Sequence, residues 1–298
     1  MRILVTGVSG QVGAALITRL HNEDVIAASR SVIDFAQPNT IGAVLEQLNP
    51  AIVINAAAYT AVDQAEAERE LARVVNSVAP GVIARWASAK GVPLIHFSTD
   101  YVFDGHGQTA WREDDATGPL SVYGRTKLDG EHAVRAARGS FLIVRTSWVY
   151  AATGKNFLRT IARLAREREQ LRIVADQIGA PTSAAVTADC VQKMLSGGVE
   201  SFHDRCALSD GIVHLTASGE TSWHGFACAI VDGLRKRGVN LTVDEVVPIK
   251  TEDYPTPAKR PLNSRLDLTR LREVFKITPA HWLDALEPEL DVLADELR

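Results

Sequence analysis

The sequence predicts an α/β protein built on a doubly wound parallel sheet, and three observations predict it. Short apolar runs without polar alternation recur through the first half, as strands buried on both faces require. Helical patterns separate them, the alternation that builds a parallel sheet. A glycine-rich turn, Gly7, Gly10 and Gly13, directly follows the first run and opens the first helix.

Taken in order, residues 3–5 (Ile-Leu-Val) form the first strand and 12–20 the first helix. Residues 25–28 form the second strand, and a helix at 41–48 ends at Asn49-Pro50. The third strand is at 52–54, followed by helices over 62–75 and 80–89. A fourth strand is expected at 93–97 and a later one at 141–144. Beyond residue 150 the alternation is less regular. An amphipathic helix is expected at 156–168, with Phe157, Ile161 and Leu164 on one side. A strand at 171–174, helices at 187–195 and 223–237, and a closing helix at 281–297 complete the reading. Prolines 255, 257 and 261 exclude regular structure from 254–261.

Composition narrows the function classes. The 298 residues suffice to bury a core without staples. Mean hydropathy is -0.00. Lys+Arg 32 against Asp+Glu 36 leaves a net charge of -4, and no basic run exists to recruit nucleic acid. No apolar stretch approaches the roughly 18 residues that cross a bilayer. The N-terminus runs straight into a strand without the features of a signal peptide. Cys190, Cys206 and Cys228 lack C-x-x-C spacing and read as reduced thiols. A cytoplasmic enzyme or ligand-binding module is expected.

Three features carry chemistry. In the turn from Thr6 to Gly13, Gly7 permits a tight turn, Gly10 lets backbone approach a pyrophosphate, and Gly13 lets helix pack on strand. The helix N-terminus beyond it offers free N–H groups and a partial positive charge to phosphate. Tyr123 and Lys127 are spaced to share one helix face. An ammonium beside a phenol brings its pKa toward the working range. Thr99 offers a hydroxyl at the carboxyl end of the fourth strand, where doubly wound sheets bind ligands. A strand-end hydroxyl that merely caps a turn is an equal reading of Thr99 alone.

Together these features resemble the short-chain dehydrogenase/reductase superfamily, in its extended branch acting on nucleotide sugars. Five longer segments are similar to the dTDP-4-dehydrorhamnose reductase family. They are N-A-A-A-Y-T-A-V-D at 55–63, S-T-D-Y-V-F at 98–103, R-T-S-W-V-Y at 145–150, D-Q-I-G-A-P-T at 176–182 and R-P-L-N-S-R-L at 260–266. The resemblance implies a Rossmann-type NAD(P)-binding domain at 1–150. Residues 151–298 are then mainly a substrate-binding lobe, with some segments returning to the first domain. It implies reduction of the C4 keto group of dTDP-4-dehydro-6-deoxy-L-mannose to dTDP-L-rhamnose, with NADPH, or NADH, as donor.

The resemblance also assigns roles. Tyr123 protonates the 4-oxygen, Lys127 holds the nicotinamide ribose and tunes the phenol, and Thr99 polarises the carbonyl. Gly10, Gln11 and Val12 match the pyrophosphate turn, with Gly7 and Gly13 beside them. Ala58, Tyr59 and Thr60 match the segment lining the cofactor, although the family often has His in place of Tyr59. Asp34 and Phe35 match an adenine-side pair. Trp148, Asn156, Gln177, Arg260 and Asn263 match the substrate pocket, Arg260 at the diphosphate, which suits a guanidinium fork. No acid ends the second strand, where an NAD site usually has one. Arg30 stands there instead and could bind a 2′-phosphate.

The histidines show no metal-ligand spacing, and no metal is expected. Magnesium held by Glu287 and Glu289 is not supported by the sequence, which reads them as solvated near a helix end. No G-x-S-x-G elbow and no P-loop lysine occurs. A nucleotide-sugar substrate is the expected partner, and a homodimer is compatible with the reading. Two alternatives remain: another nucleotide-sugar reductase or epimerase of the same branch, and a non-catalytic regulatory subunit like that of methionine adenosyltransferase.

Overall fold

The computed structural model describes every residue, Met1–Arg298. The chain begins with β1 (Arg2–Thr6), α1 (Gln11–Arg19), β2 (Asp24–Ala28), α2 (Pro38–Leu48) and β3 (Ile52–Asn55). Side chains alternate across a strand, so Ile3 and Val5 enter one core cluster and Leu4 the cluster on the opposite face. Both faces are therefore covered, which explains the unbroken apolar runs.

The next stretch departs from the two helices expected over 62–89. After the short α3 (Val62–Ala65) the chain breaks at residues 66–68. It then runs from α4 (Arg69–Arg73) through a π-helical turn (Val74–Val78) into α5 (Ala79–Lys90). Pro80 accounts for the wide turn: it has no N–H, and its ring displaces the carbonyl four residues earlier, that of Asn76. The Asn76 side chain is buried and fully used. Its Oδ1 accepts from the Tyr59 N–H at 2.8 Å, and its Nδ2 donates to the Tyr59 carbonyl and the Thr126 hydroxyl, both at 3.1 Å.

Then come β4 (Leu94–Thr99), a 3-10 turn (Asp100–Val102), α6 (Val122–Ala136) and β5 (Phe141–Thr146). Ser121 caps α6 by accepting from the Gly124 N–H at 3.2 Å. Past this point lie β6 (Val149–Tyr150), α7 (Phe157–Glu167), β7 (Gln170–Val174), β8 (Ile178–Gly179), β9 (Thr182–Ser183), α8 (Ala184–Leu195), α9 (Gly198–Leu208) and β10 (Ile212–His214). The chain closes with β11 (Thr221–Ser222), α10 (Trp223–Lys236), β12 (Glu245–Ile249), α11 (Thr269–Phe275) and α12 (Trp282–Leu297).

The central sheet has six strands, all parallel, in the order β10-β5-β4-β3-β1-β2. Its outermost strand β10 is three residues long, too short to show a pattern in the sequence. Residues of α8, α9 and α11, such as Val191, Phe202 and Leu271, join the core under one face of the sheet. A separate core unites α7, β7, α10 and α12 through Ile161, Leu171, Phe226 and Leu290. There β7 pairs in parallel with β12, a partner without alternation in its sequence.

Replacing Asn76 with alanine strands the Tyr59 N–H and carbonyl beside a buried turn. Losing such partners typically costs about 1–3 kcal/mol. The urea midpoint of Asn76→Ala should fall by the corresponding amount, and an unchanged midpoint would show that water replaces both bonds.

Candidate active site

A cleft of about 900 Å³ opens at the carboxyl ends of β1 to β5. That is where the strand order reverses, between β1 and β3, the position at which open α/β sheets bind ligands. One wall is the turn between β1 and α1. Gly7 has φ +70, and a Cβ there would come within 2.6 Å of the Ala57 nitrogen. A Cβ on Gly13 would lie 2.2 Å from the Gly7 carbonyl oxygen, so only glycine lets α1 start this close to β1. Gly10 caps α1 without a side-chain hydrogen bond, leaving the first turn of the helix to face the cleft. This cradle fits a dinucleotide pyrophosphate.

The adenine-side residues follow β2. Arg30 is well exposed, and its Nε lies 3.3 Å from Asp34 Oδ1, an exposed pair that solvent screens. Asp34 also accepts from the Ala36 N–H at 3.0 Å. Phe35 is buried in the core while lining the cleft edge. After β3, Ala58, Tyr59 and Thr60 line the cleft. The Tyr59 hydroxyl donates to Glu68 at 2.9 Å, so its ring is anchored on the segment leading to α4.

The residues expected to react lie between β4 and α6. Tyr123, Lys127 and Thr99 all line the cleft. Lys127 Nζ donates to the Phe97 carbonyl at 2.7 Å, and burial pushes its pKa down to about 8, with Glu131 acting in the opposite sense. Burial pushes the Tyr123 phenol up to about 12. Contrary to the tuning expected of the Tyr-Lys spacing, Lys127 is not among the groups acting on that phenol: the Thr99 hydroxyl lowers its pKa and the Asp100 carboxylate raises it. Tyr101 packs edge-on against Tyr123, ring centroids 5.5 Å apart.

The substrate-side residues are less uniform. Trp148 lines the cleft with φ +50, a conformation unusual for a tryptophan, and stacks on Trp223 of α10 at 3.7 Å. Asn156 caps α7 and donates to Gln11 Oε1 at 2.8 Å, which ties its loop to the glycine turn. Gln177 accepts from Trp223 Nε1 at 3.1 Å, one step behind the cleft wall. Arg260 pairs with Asp63 at 2.8 Å, and its buried Nη1 has no partner. Asn263 stands apart: its side chain binds the Thr109 carbonyl and the Arg265 guanidinium. Glu287 pairs with Arg237, and Glu289 accepts from the Ala152 N–H, so each is engaged within the protein.

The family model described as the RmlD substrate binding domain matches residues 1–294. A dTDP-4-dehydrorhamnose reductase of Burkholderia thailandensis is 46% identical over 287 residues, 95% of each chain. The chain belongs to the dTDP-4-dehydrorhamnose reductase family. Among solved structures, a reductase of that name from Clostridium acetobutylicum superposes with TM-score 0.89 at 35% identity, covering 98% of this chain and 99% of its own. One from Bacillus anthracis, in complex with NADP, superposes with TM-score 0.86 at 33% identity, covering 97% of this chain and 98% of its own.

Two residues lining the cleft, Trp223 and Asp100, escaped the sequence reading, as did Asn76 behind it. Asn76 lies at the π turn that Pro80 imposes, but its partners Tyr59 and Thr126 are brought to it only by the fold. Trp223 sits 75 residues from Trp148 in sequence, and only the packing of α10 brings the rings together. Asp100 was visible beside Thr99, but its burial, 2% exposed, was not. Burial lifts its carboxyl from 3.8 to about 6, against the hydroxyls of Ser264 and Thr99.

That shift has a signed consequence. An acid with a raised folded-state pKa holds its proton more tightly folded than unfolded. The stability this contributes is complete below about 4 and is lost as pH rises through about 6. Between pH 4 and 7 the parent should therefore lose melting temperature relative to Asp100→Asn, whose side chain does not titrate. Parallel curves for the two proteins would refute the assignment.

Proposed function

We propose that this cleft reduces the C4 keto group of dTDP-4-dehydro-6-deoxy-L-mannose to dTDP-L-rhamnose with NADPH, NADH serving as a second donor. The observation that carries the reading is the convergence of Thr99, Tyr123 and Lys127 beside a glycine cradle, in a chain of this reductase family. The name of the Burkholderia relative supports the reaction, and the NADP complex of the Bacillus relative supports the cofactor.

Bound in the cradle, the reduced dinucleotide supplies a hydride to C4. The carbonyl oxygen then needs one proton. Tyr123, a phenol and so protonated at neutral pH, holds that proton at the cleft wall. Its hydroxyl gives the proton to O4, and the C4=O double bond becomes CH–OH. Thr99 donates to the same oxygen as negative charge develops. Lys127, fixed on the Phe97 carbonyl, places its remaining N–H donors at the ribose hydroxyls. On the substrate side, Trp148 packs against the sugar, and Arg260, which stands behind the cleft lining on Asp63, would have to turn from that carboxylate to reach the diphosphate. Residues 1–150 serve the dinucleotide and 151–298 mainly the sugar nucleotide. No helix is long and apolar enough to cross a membrane, in keeping with a cytoplasmic location.

The reading is tested by Tyr123→Phe, which keeps the ring and removes the proton. General-acid catalysis commonly contributes about 10²–10⁴-fold. The variant should bind NADPH normally and lose at least about 10²-fold in kcat, followed by cofactor absorbance. Near-parental turnover would place the proton donor elsewhere, and no turnover by the parent would favour a regulatory subunit.

Cofactor choice rests on Arg30. Because no acid ends β2, Arg30→Ala should lose efficiency with NADPH selectively. A charged hydrogen bond is typically worth about 1.5–3 kcal/mol, or about 10- to 150-fold in kcat/KM. Equal losses with both dinucleotides would remove Arg30 from the 2′-phosphate.

A further inference from the structure

The inner face of α6 carries a third polar residue in register with Tyr123 and Lys127. Glu131 lies one further turn along, 1% exposed, and meets β4 as they do. Three consecutive residues of β4 each serve one of the three. The Thr99 hydroxyl acts on Tyr123, the Phe97 carbonyl accepts from Lys127 at 2.7 Å, and Ser98 Oγ donates to Glu131 Oε1 at 2.5 Å. From β5, Arg145 forks onto the same carboxylate, Nε to Oε1 at 2.9 Å and Nη2 to Oε2 at 2.7 Å.

This pair is not needed to join α6 to the sheet, which apolar contacts already do. Val134 of α6 sits in the same core cluster as Ile143 of β5. A buried ion pair is also a weak source of stability, since desolvation offsets most of the attraction. What it supplies at this place is its negative end, the Glu131 carboxylate, one helical turn from a buried ammonium. We propose that Glu131 is a positioning residue for the reaction: paired with Arg145 and bonded to Ser98, it keeps the Lys127 ammonium charged on the Phe97 carbonyl.

The surroundings leave few other groups to do so. His96 on β4 is fully buried, its Nδ1 lies 2.9 Å from Asn55 Nδ2, and desolvation keeps it neutral. Tyr123 on α6 is neutral at working pH. Behind Arg145, His214 of β10 is likewise held neutral by burial. Glu113 receives Arg145 Nη1 on its carbonyl, while its carboxylate turns to the His214 N–H and Arg270. Burial lowers the pKa of Lys127, and Glu131 is the group that opposes it.

The inference rests on the reductase reading for Lys127, and the experiment separates the two. The variant Glu131→Gln/Arg145→Met removes both charges together, so no orphaned charge remains in the core. Glu131→Gln alone leaves Arg145 charged. The first readout is the pH midpoint of the Lys127 ε-methylene NMR signal in the dinucleotide-free protein. It should move to lower pH by about one unit in the double variant, and further in the single one. The second is the alkaline limb of kcat, which should shift in parallel, giving about tenfold lower kcat at pH 9 with little change at pH 6. An unmoved midpoint in a folded double variant would overturn the proposal, and so would a double variant that fails to fold, since the pair would then be structural. If the midpoint moves but Tyr123→Phe keeps its turnover, the reductase reading fails and the proposal of Glu131 as the source of the charge stands.

Discussion

Everything at the cleft depends on how closely α6 lies on its neighbours. The approach is set by backbone rather than by side chains. A Cβ on Gly124 would lie 2.2 Å from the Tyr101 carbonyl oxygen, and one on Gly130 would lie 2.1 Å from that of Asn76. These two glycines let the helix settle between the turn after β4 and the π turn before α5. Helix surfaces bearing ordinary side chains pack with axes about 8–10 Å apart. Here the helix touches main chain, and its polar residues reach the strand directly.

That closeness sets the electrostatics. Lys127 and Glu131 are buried together beside the half-buried Tyr123, so the charge state of Lys127 depends on its neighbours. Burial raises the phenol, lowers the ammonium and requires the carboxylate to be paired. The ammonium, held near the edge of its charged range, is the component most sensitive to a nearby carboxylate. Tyr123 and Lys127 thus share one helix face, with their spacing fixed by helix geometry.

The second lobe contributes from the other side. Trp148 leaves β5 in a left-handed conformation and is held there by Trp223 from α10, with Gly179 backing the ring closely enough that a Cβ would lie 2.8 Å away. Local strain of this kind persists where surrounding packing over-determines it. Here the packing comes from α10 and β8, segments far along the chain from Trp148.

The amino-acid sequence by itself determined the parallel sheet, the glycine turn after its first strand and the shared helix face of Tyr123 and Lys127. Each is written in local terms: unbroken apolar runs, a turn at a fixed offset from a strand, a spacing of four on a helix. The family resemblance, carried by five segments, extended this to the reaction. Only the tertiary structure decided what lies between distant segments. The sixth strand was invisible because three residues show no period. The break at 66–68 and the continuous helix through Pro80 ran against a local rule, because the π turn absorbs the proline. Arg260 and Asn263 sit in one short loop, yet one reaches Asp63 and the other turns away to residue 109. Trp223, the burial of Asp100 and the pairing of Glu131 with Arg145 are matters of desolvation and neighbourhood. Those are properties of the folded interior and have no counterpart in the order of residues along the chain.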